Sequence, residues 1–214
     1  MSAYLAASPL TVGVDIGQKN DPTAIAVVEA EQGSSRDYVL RFIQRLPLGT
    51  PYPEVARSLA RICRRAAEKS GQRPEVFVDA TGVGAPVVDQ LRALTLDARR
   101  LWAVTFTHGT RCRRIPAEQR VTMGKAYMVS RLQALLGAGR IHLPGTSEAR
   151  ALAAELLGYE IRVDEKGTDR YGAFRSGTHD DLVTALGLAV LGEGRAAKPV
   201  VRASTGAGRA EGVE

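Results

Sequence analysis

Cysteine, histidine and aromatic residues are scarce in this 214-residue chain, which has two Cys, three His, one Trp, four Phe and six Tyr. Cys63 and Cys112 have no CxxC or Cys/His spacing around them, which argues against both a zinc site and a disulfide framework. Such cysteine usage fits a reducing cytoplasm. No uncharged stretch approaches the roughly 20 residues that a membrane span requires. Met1 to Leu10 carries no basic region ahead of its apolar residues, so no secretory signal is expected either. Acidic residues are outnumbered too. Twenty-nine Lys plus Arg against 23 Asp plus Glu give a formal charge of +6, a field that favours an anionic partner such as nucleic acid. The few aromatics are not interleaved with the basic clusters, so no platform for stacking single-stranded bases is expected. Double-stranded DNA is the better fit.

Apolar patterning fills the chain from about Thr11 to Leu191 and stops on either side. One domain is expected over 11–192, with a flexible N-terminus at 1–10 and a flexible basic tail or linker at 193–214. Thr11–Gly17 and Thr23–Glu29, parted by the turn signal GQKNDP, predict a hairpin, and Asp37–Leu46 predicts a third strand. Pro53 and the stripe Val55, Leu59, Ile62, Ala66 predict a helix. Next, strand Glu75–Asp79, a glycine turn, helix Pro86–Leu94 and strand Arg100–Thr105 form a βαβ unit, which implies parallel pairing. The remaining pattern predicts a long helix over Glu118–Leu136, a short strand Ile141–Leu143 and a helix Ser147–Leu157. A hairpin over Tyr159–Phe174 and a final helix Asp180–Leu191 complete it. The class is α/β with a mixed sheet.

Two aspartates stand at the carboxyl ends of predicted core strands, Asp15 in VGVDIG and Asp79 in VFVDATG. Ligands bind at that edge of an open α/β sheet, although a strand-end aspartate can also simply cap the following turn. Thr178-His179-Asp180-Asp181 then opens a helix apolar enough to pack on the sheet, which puts two more carboxylates at its buried start. One of the pair is expected to cap the helix and the other to face the site. With no basic partner in the neighbouring sequence, these carboxylates would repel one another unless a divalent cation lay among them. All-oxygen ligation suits Mg²⁺ or Mn²⁺, and two such ions would suit phosphodiester hydrolysis.

GVDIGQKNDPTAIAVVE, VFVDATGVGAPVVDQL, a helix followed by GRIHLP, and HDDLVTALGLA together resemble the RNase H-like nuclease domain of tailed-phage large terminase subunits. The resemblance runs from about Thr11 to Leu191. It implies an RNase H-like fold, a mixed central β-sheet flanked by helices with an added β-hairpin near the active site. It also implies a metal-dependent endonuclease that cuts concatemeric DNA during genome packaging, with Asp15, Asp79, Asp180 and Asp181 as metal-binding and catalytic residues. Two Mg²⁺ or Mn²⁺ ions would be cofactors, and a packaging ATPase domain, a small terminase subunit and a portal protein would be partners in the host cytoplasm. Many relatives read HDDxxDA, whereas this chain has Thr184 at the later acidic position. It also lacks a GxxxxGK[ST] loop, so no ATP hydrolysis is expected from it.

Arg111, Arg113, Arg114 and Arg120 fall in a predicted loop and helix start, and Lys166, Arg170 and Arg175 in the later hairpin; all are candidates for DNA phosphate contact. His179 could ligate metal, act as a base or orient a neighbour. On the predicted Glu118–Leu136 helix, Lys125 lies within the stripe of Val121, Met128, Leu132 and Leu135. Either its stem covers the core edge while the ammonium reaches water, or the ammonium meets a catalytic carboxylate or the scissile phosphate. Three other readings stay open. A RuvC/RNase H-type nuclease would act on branched DNA or RNA/DNA hybrids, a DNA-binding module could keep the fold without the activity, and DIG with DATGVG also suits an ATP-binding domain of the actin and sugar-kinase type.

Overall fold

The computed structural model describes residues 8–17, 21–31, 36–82, 84–94, 96–163, 169–172 and 179–192. Most of the proposed N-terminal segment, the tail at 193–214, Lys166 and Arg175 lie outside them. Strands β1 (Leu10–Asp15), β2 (Ala24–Glu31) and β3 (Asp37–Arg45) form an antiparallel meander, so the expected hairpin and third strand are present. Helix α1 (Tyr52–Ser70) follows, then the expected βαβ unit of β4 (Glu75–Asp79), α2 (Gly84–Ala93) and β5 (Arg100–Thr107). β4 pairs in parallel with both β1 and β5.

The next stretch corrects the sequence reading. Cys112–Ile115 is strand β6 and Arg120–Gly124 is strand β7, paired antiparallel, and helix α3 begins only at Lys125 and runs to Gly137. Val121 and Met123 are fully buried and alternate with outward residues, so the period is two there and not 3.6. Gly124 ends the strand against a neighbouring backbone, where an added Cβ would lie 1.8 Å from the Gly109 carbonyl oxygen. Beyond it come β8 (Ile141–His142), α4 (Ser147–Gly158), the hairpin β9 (Glu160–Val163) with β10 (Asp169–Gly172), and α5 (Asp181–Ala189).

The main sheet is mixed and eight-stranded, in the order β6-β7-β5-β4-β1-β2-β3-β8. Alternation along its central strands supplies two cores. Val12, Val14, Ile25, Val27, Val76 and Val78 face α1 and α2, packing on Val55, Leu59, Cys63 and Leu91. Ala24, Ala26, Val28, Leu40 and Ile43 face the other way onto α5, α4 and α3, and Phe77 and Trp102 continue that layer toward Met128 and Leu188. All nine residues of α5 are buried, as its sequence requires. Gly13 lets it sit directly on β1, because a Cβ there would stand 2.0 Å from the Ala185 carbonyl oxygen. Among the described residues, no helix is long and apolar enough to cross a membrane.

Candidate active site

Sheet register lines up one edge of the molecule. Asp15 pairs with Ala24, Ala24 pairs with Arg45, and Asp79 ends the neighbouring parallel strand one position beyond the Val14–Val78 pair. Directly paired residues point to the same face, which here is the face that carries α5. The amino end of α5 brings Asp180 and Asp181 to this edge, since Gly13 lets the helix approach β1. Four carboxylates from three separate parts of the chain therefore meet.

Their electrostatics show the crowding. Burial pushes the Asp15 carboxyl well above the usual carboxylate range, with the charges of Asp79, Asp180 and Asp181 acting in the same direction and Lys125 opposing them. Asp79 is raised as well, chiefly by burial, while hydrogen bonds from Thr81, including the backbone N–H at 2.7 Å to Oδ1, partly restore its acidity. Among the described residues, no three carboxylate, imidazole or thiol groups converge tightly enough to form a finished ligand set. Two cations compensate part of the charge instead.

Lys125 is the first residue of α3 and leaves the end of β7 toward the carboxylates, so that its Nζ lies 3.3 Å from Asp180 Oδ2. Of the two alternatives for this lysine, the geometry is that of the ammonium meeting a site carboxylate. Its route there is not the expected stripe, because Val121 belongs to a strand. Arg45 grips Asp181: Nε is 2.7 Å from Oδ2 and Nη2 is 3.2 Å from Oδ1. The same guanidinium also bonds Glu155 of α4. Glu155 Oε2 in turn accepts the backbone N–H of Leu182 at 3.2 Å and so caps α5 from a neighbouring helix.

The aspartate pair finds its basic partners far away in the sequence, one on β3 and one on α3, and two other expectations are revised. Neither carboxylate caps α5: Asp180 holds the N-cap position without a side-chain hydrogen bond, and Glu155 supplies an acceptor in its place. The basic segment around Arg111 is a β-hairpin instead of a loop and helix start. On that hairpin Arg114 pairs with buried Val121 and so turns inward, where its guanidinium lies over the rings of Phe77 and Trp102 at 5.3 and 5.7 Å and donates to the Leu191 carbonyl. Packing occupies Arg114, against the expectation of phosphate contact. Arg111 and Arg113 are exposed, and Arg120, also exposed, pairs with Glu118 at 3.0 Å. His179 is exposed with Nδ1 4.0 Å from Asp181 Oδ1. Arg170 lies on β10, whose Gly172 abuts the site: a Cβ there would be 2.8 Å from Asp180 Oδ2. The added hairpin thus adjoins the carboxylates.

No family model matches the chain, and no curated protein is similar to it in sequence. Solved structures are similar in fold. The large terminase nuclease from thermophilic phage G20c with bound magnesium superposes at a TM-score of 0.60 and 20% identity, over 87% of this chain and 82% of that one. The human cytomegalovirus terminase nuclease domain gives 0.59 at 13% identity, over 89% and 86%. The nuclease domain of the bacteriophage SPP1 large terminase with bound Mn gives 0.53 at 14% identity, over 86% of each chain. This chain has the terminase-nuclease fold. Within that fold Arg45 and Glu155 are the site residues that sequence reasoning missed. The alternation of β3 could have put Arg45 at a strand end, but nothing local to either residue points to its partner, 110 positions away.

Proposed function

We propose that this chain is a divalent-metal-dependent endonuclease that cleaves double-stranded DNA in viral genome packaging. The observation that carries the reading is the gathering of Asp15, Asp79, Asp180 and Asp181 at one sheet edge, where burial, and after it the charges of the other three, raises the Asp15 carboxyl. The terminase-nuclease fold and the excess of basic residues support it. A partly buried, all-carboxylate donor set whose four acids outnumber their two cations, Arg45 and Lys125, fits hard divalent cations such as Mg²⁺ or Mn²⁺. Asp15, Asp79 and Asp180 would hold them, and Asp181 would contribute through a carboxylate that it shares with Arg45. When bound, two such ions would supply activation of water and neutralisation of charge on the phosphate.

The chain's own groups do the rest. Water attacks phosphorus in line and the 3′-oxygen departs, leaving 5′-phosphate and 3′-hydroxyl ends. Lys125, beside Asp180, holds the crowded carboxylates against repulsion and lies near enough to stabilise charge developing on the phosphate. Exposed Arg111, Arg113 and Arg120, with Lys166, Arg170 and Arg175 of the later hairpin segment, would hold the duplex by its phosphates. In this reading a packaging ATPase domain, a small terminase subunit and a portal protein are the partners.

The test is incubation of supercoiled plasmid with the protein in Mg²⁺, Mn²⁺, Ca²⁺ or EDTA, with branched DNA and an RNA/DNA hybrid alongside. Cutting of plasmid in Mg²⁺ or Mn²⁺ alone, with little sequence preference, is expected. Undiminished cutting in EDTA overturns the reading, and exclusive cutting of the branched or hybrid substrate replaces it with a RuvC/RNase H-type activity.

A further inference from the structure

The face of the sheet opposite α5 is only partly covered. Helix α1 lies over β1, and between it and the outer strands β2 and β3 runs an open groove of about 1180 Å³. Its floor is apolar, formed by Val27, Ile62, Ala66 and Phe42, and Phe42 remains 39% exposed. One wall is a row of exposed cations. Arg61, Arg65 and Lys69 occur at i, i+4 and i+8 of α1, so they stand above one another along about 12 Å of helix.

Like charges at i,i+4 destabilise a helix, so such a row costs stability unless something answers it. Inside the molecule little does. Among the described residues, Arg65 and Lys69 form no ion pair, and Arg61 only donates to Ser58 Oγ at 3.1 Å. The acids that line the groove are turned to other uses: Glu29 pairs with Arg41 at 2.8 Å, and Glu148 accepts from Ser147 Oγ. The wall therefore presents unanswered positive charge directly above an apolar floor.

We propose that this groove binds an acidic, amphipathic segment of a partner protein, its carboxylates on the α1 row and its apolar side chains on Phe42 and the floor. Charge complementarity selects the acidic side, and the floor distinguishes the occupant from DNA. A duplex would offer phosphates to the row but leave Phe42 exposed to water, and the groove lies on the sheet face away from the carboxylate cluster. The proposal does not depend on the nuclease reading.

The probe is a fluorescein-labelled, helix-forming peptide of about four turns, with Leu on one face and Glu on the other, titrated with the full chain and followed by anisotropy. Saturable binding is expected, and replacing every Glu by Gln in the peptide should weaken it on the order of tenfold or more, as should added salt. Arg65→Glu is the decisive variant. It converts the row into two opposite-charge i,i+4 pairs with Arg61 and Lys69, so the helix keeps its stability while the wall loses its sign. Peptide binding should fall on the order of tenfold with an unchanged or raised Tm, and Phe42→Ser should also weaken it. Arg64→Glu, on the same helix but outside the groove, should leave binding unaltered. Absence of saturable binding overturns the proposal, as does an equal loss in Arg64→Glu. An equal loss of affinity for a DNA duplex in EDTA on Arg65→Glu makes the row a nucleic-acid surface and likewise overturns it.

Discussion

Arg45 closes a two-pronged grip on Asp181, from a strand end 136 positions earlier in the chain, and reaches Glu155 with the same guanidinium. Asp181 and Glu155 are both largely buried, with side chains 6% and 10% exposed, so each depends on this one cation. Removing one partner from such a cluster strands charge in a poorly solvated place.

Arg45→Met is therefore expected to lower stability by about 3–5 kcal/mol, measured by denaturant unfolding near neutral pH. The loss should shrink in acid, where the stranded carboxylates can take up protons. Arg45→Lys, which keeps the charge and loses the fork, should fall between the two. A wild-type midpoint in Arg45→Met would show that the grip is incidental.

The aspartates have distinct expected behaviour. Asp15→Asn and Asp79→Asn should abolish plasmid cutting with the fold intact, since each substitution relieves a like-charge cluster. Circular dichroism and Mn²⁺ titration would accompany the cleavage assay. Asp181→Asn should lower Tm, through the loss of its Arg45 pair, and Asp180→Asn should act mainly on cleavage. Identical mild effects of the two would contradict the roles assigned here.

Lys125→Met keeps the stem and removes the ammonium that sits 3.3 Å from Asp180. Cleavage at saturating Mg²⁺ should drop on the order of tenfold, equivalent to about 1.4 kcal/mol. Wild-type rates would reduce the lysine to a surface ion pair.

Stability should also depend on pH. Burial, followed by the charge of Asp181, pushes Glu155 from 4.5 to about 7, with Arg45 pulling the other way. A carboxylate raised in the folded state holds a proton that the unfolded state has released. Its contribution is thus complete below the unfolded value and is lost as pH rises through the folded one. Asp15 and Asp79 shift in the same direction. Unfolding midpoints should decline between about pH 5 and pH 7.5, less steeply in Glu155→Gln, and Mg²⁺ or Mn²⁺ should reverse part of the decline. A rise over that interval would refute the assignment.

Asp15 and Asp79 were legible because each follows a short, β-branched apolar run and so stands at the end of a buried strand. Asp180 and Asp181 were legible because eight residues, all apolar or small, follow them on a buried helix. The α3 region was not. Val121, Met128, Leu132 and Leu135 satisfy helical spacing, yet Val121 and Met123 also satisfy alternation, and only pairing with β5 and β6 decides between them. Arg114 likewise reads as one basic residue among several until its register partner, Val121, turns it to the inner face. Arg45 was missed for a related reason: its place opposite Ala24, and hence beside Asp15, is a property of sheet register and not of local sequence.

The two aspartates of the last helix stand at the head of the most deeply enclosed element of the protein. Gly13 admits that helix so closely that β1 has no room for a methyl group beside it, and on its other side Gly187 lies against the Met128 side chain. Opening this helix means separating it from β1 and from α3 together. Its amides should exchange with deuterium last of all, and heat should inactivate the site only where the whole domain melts.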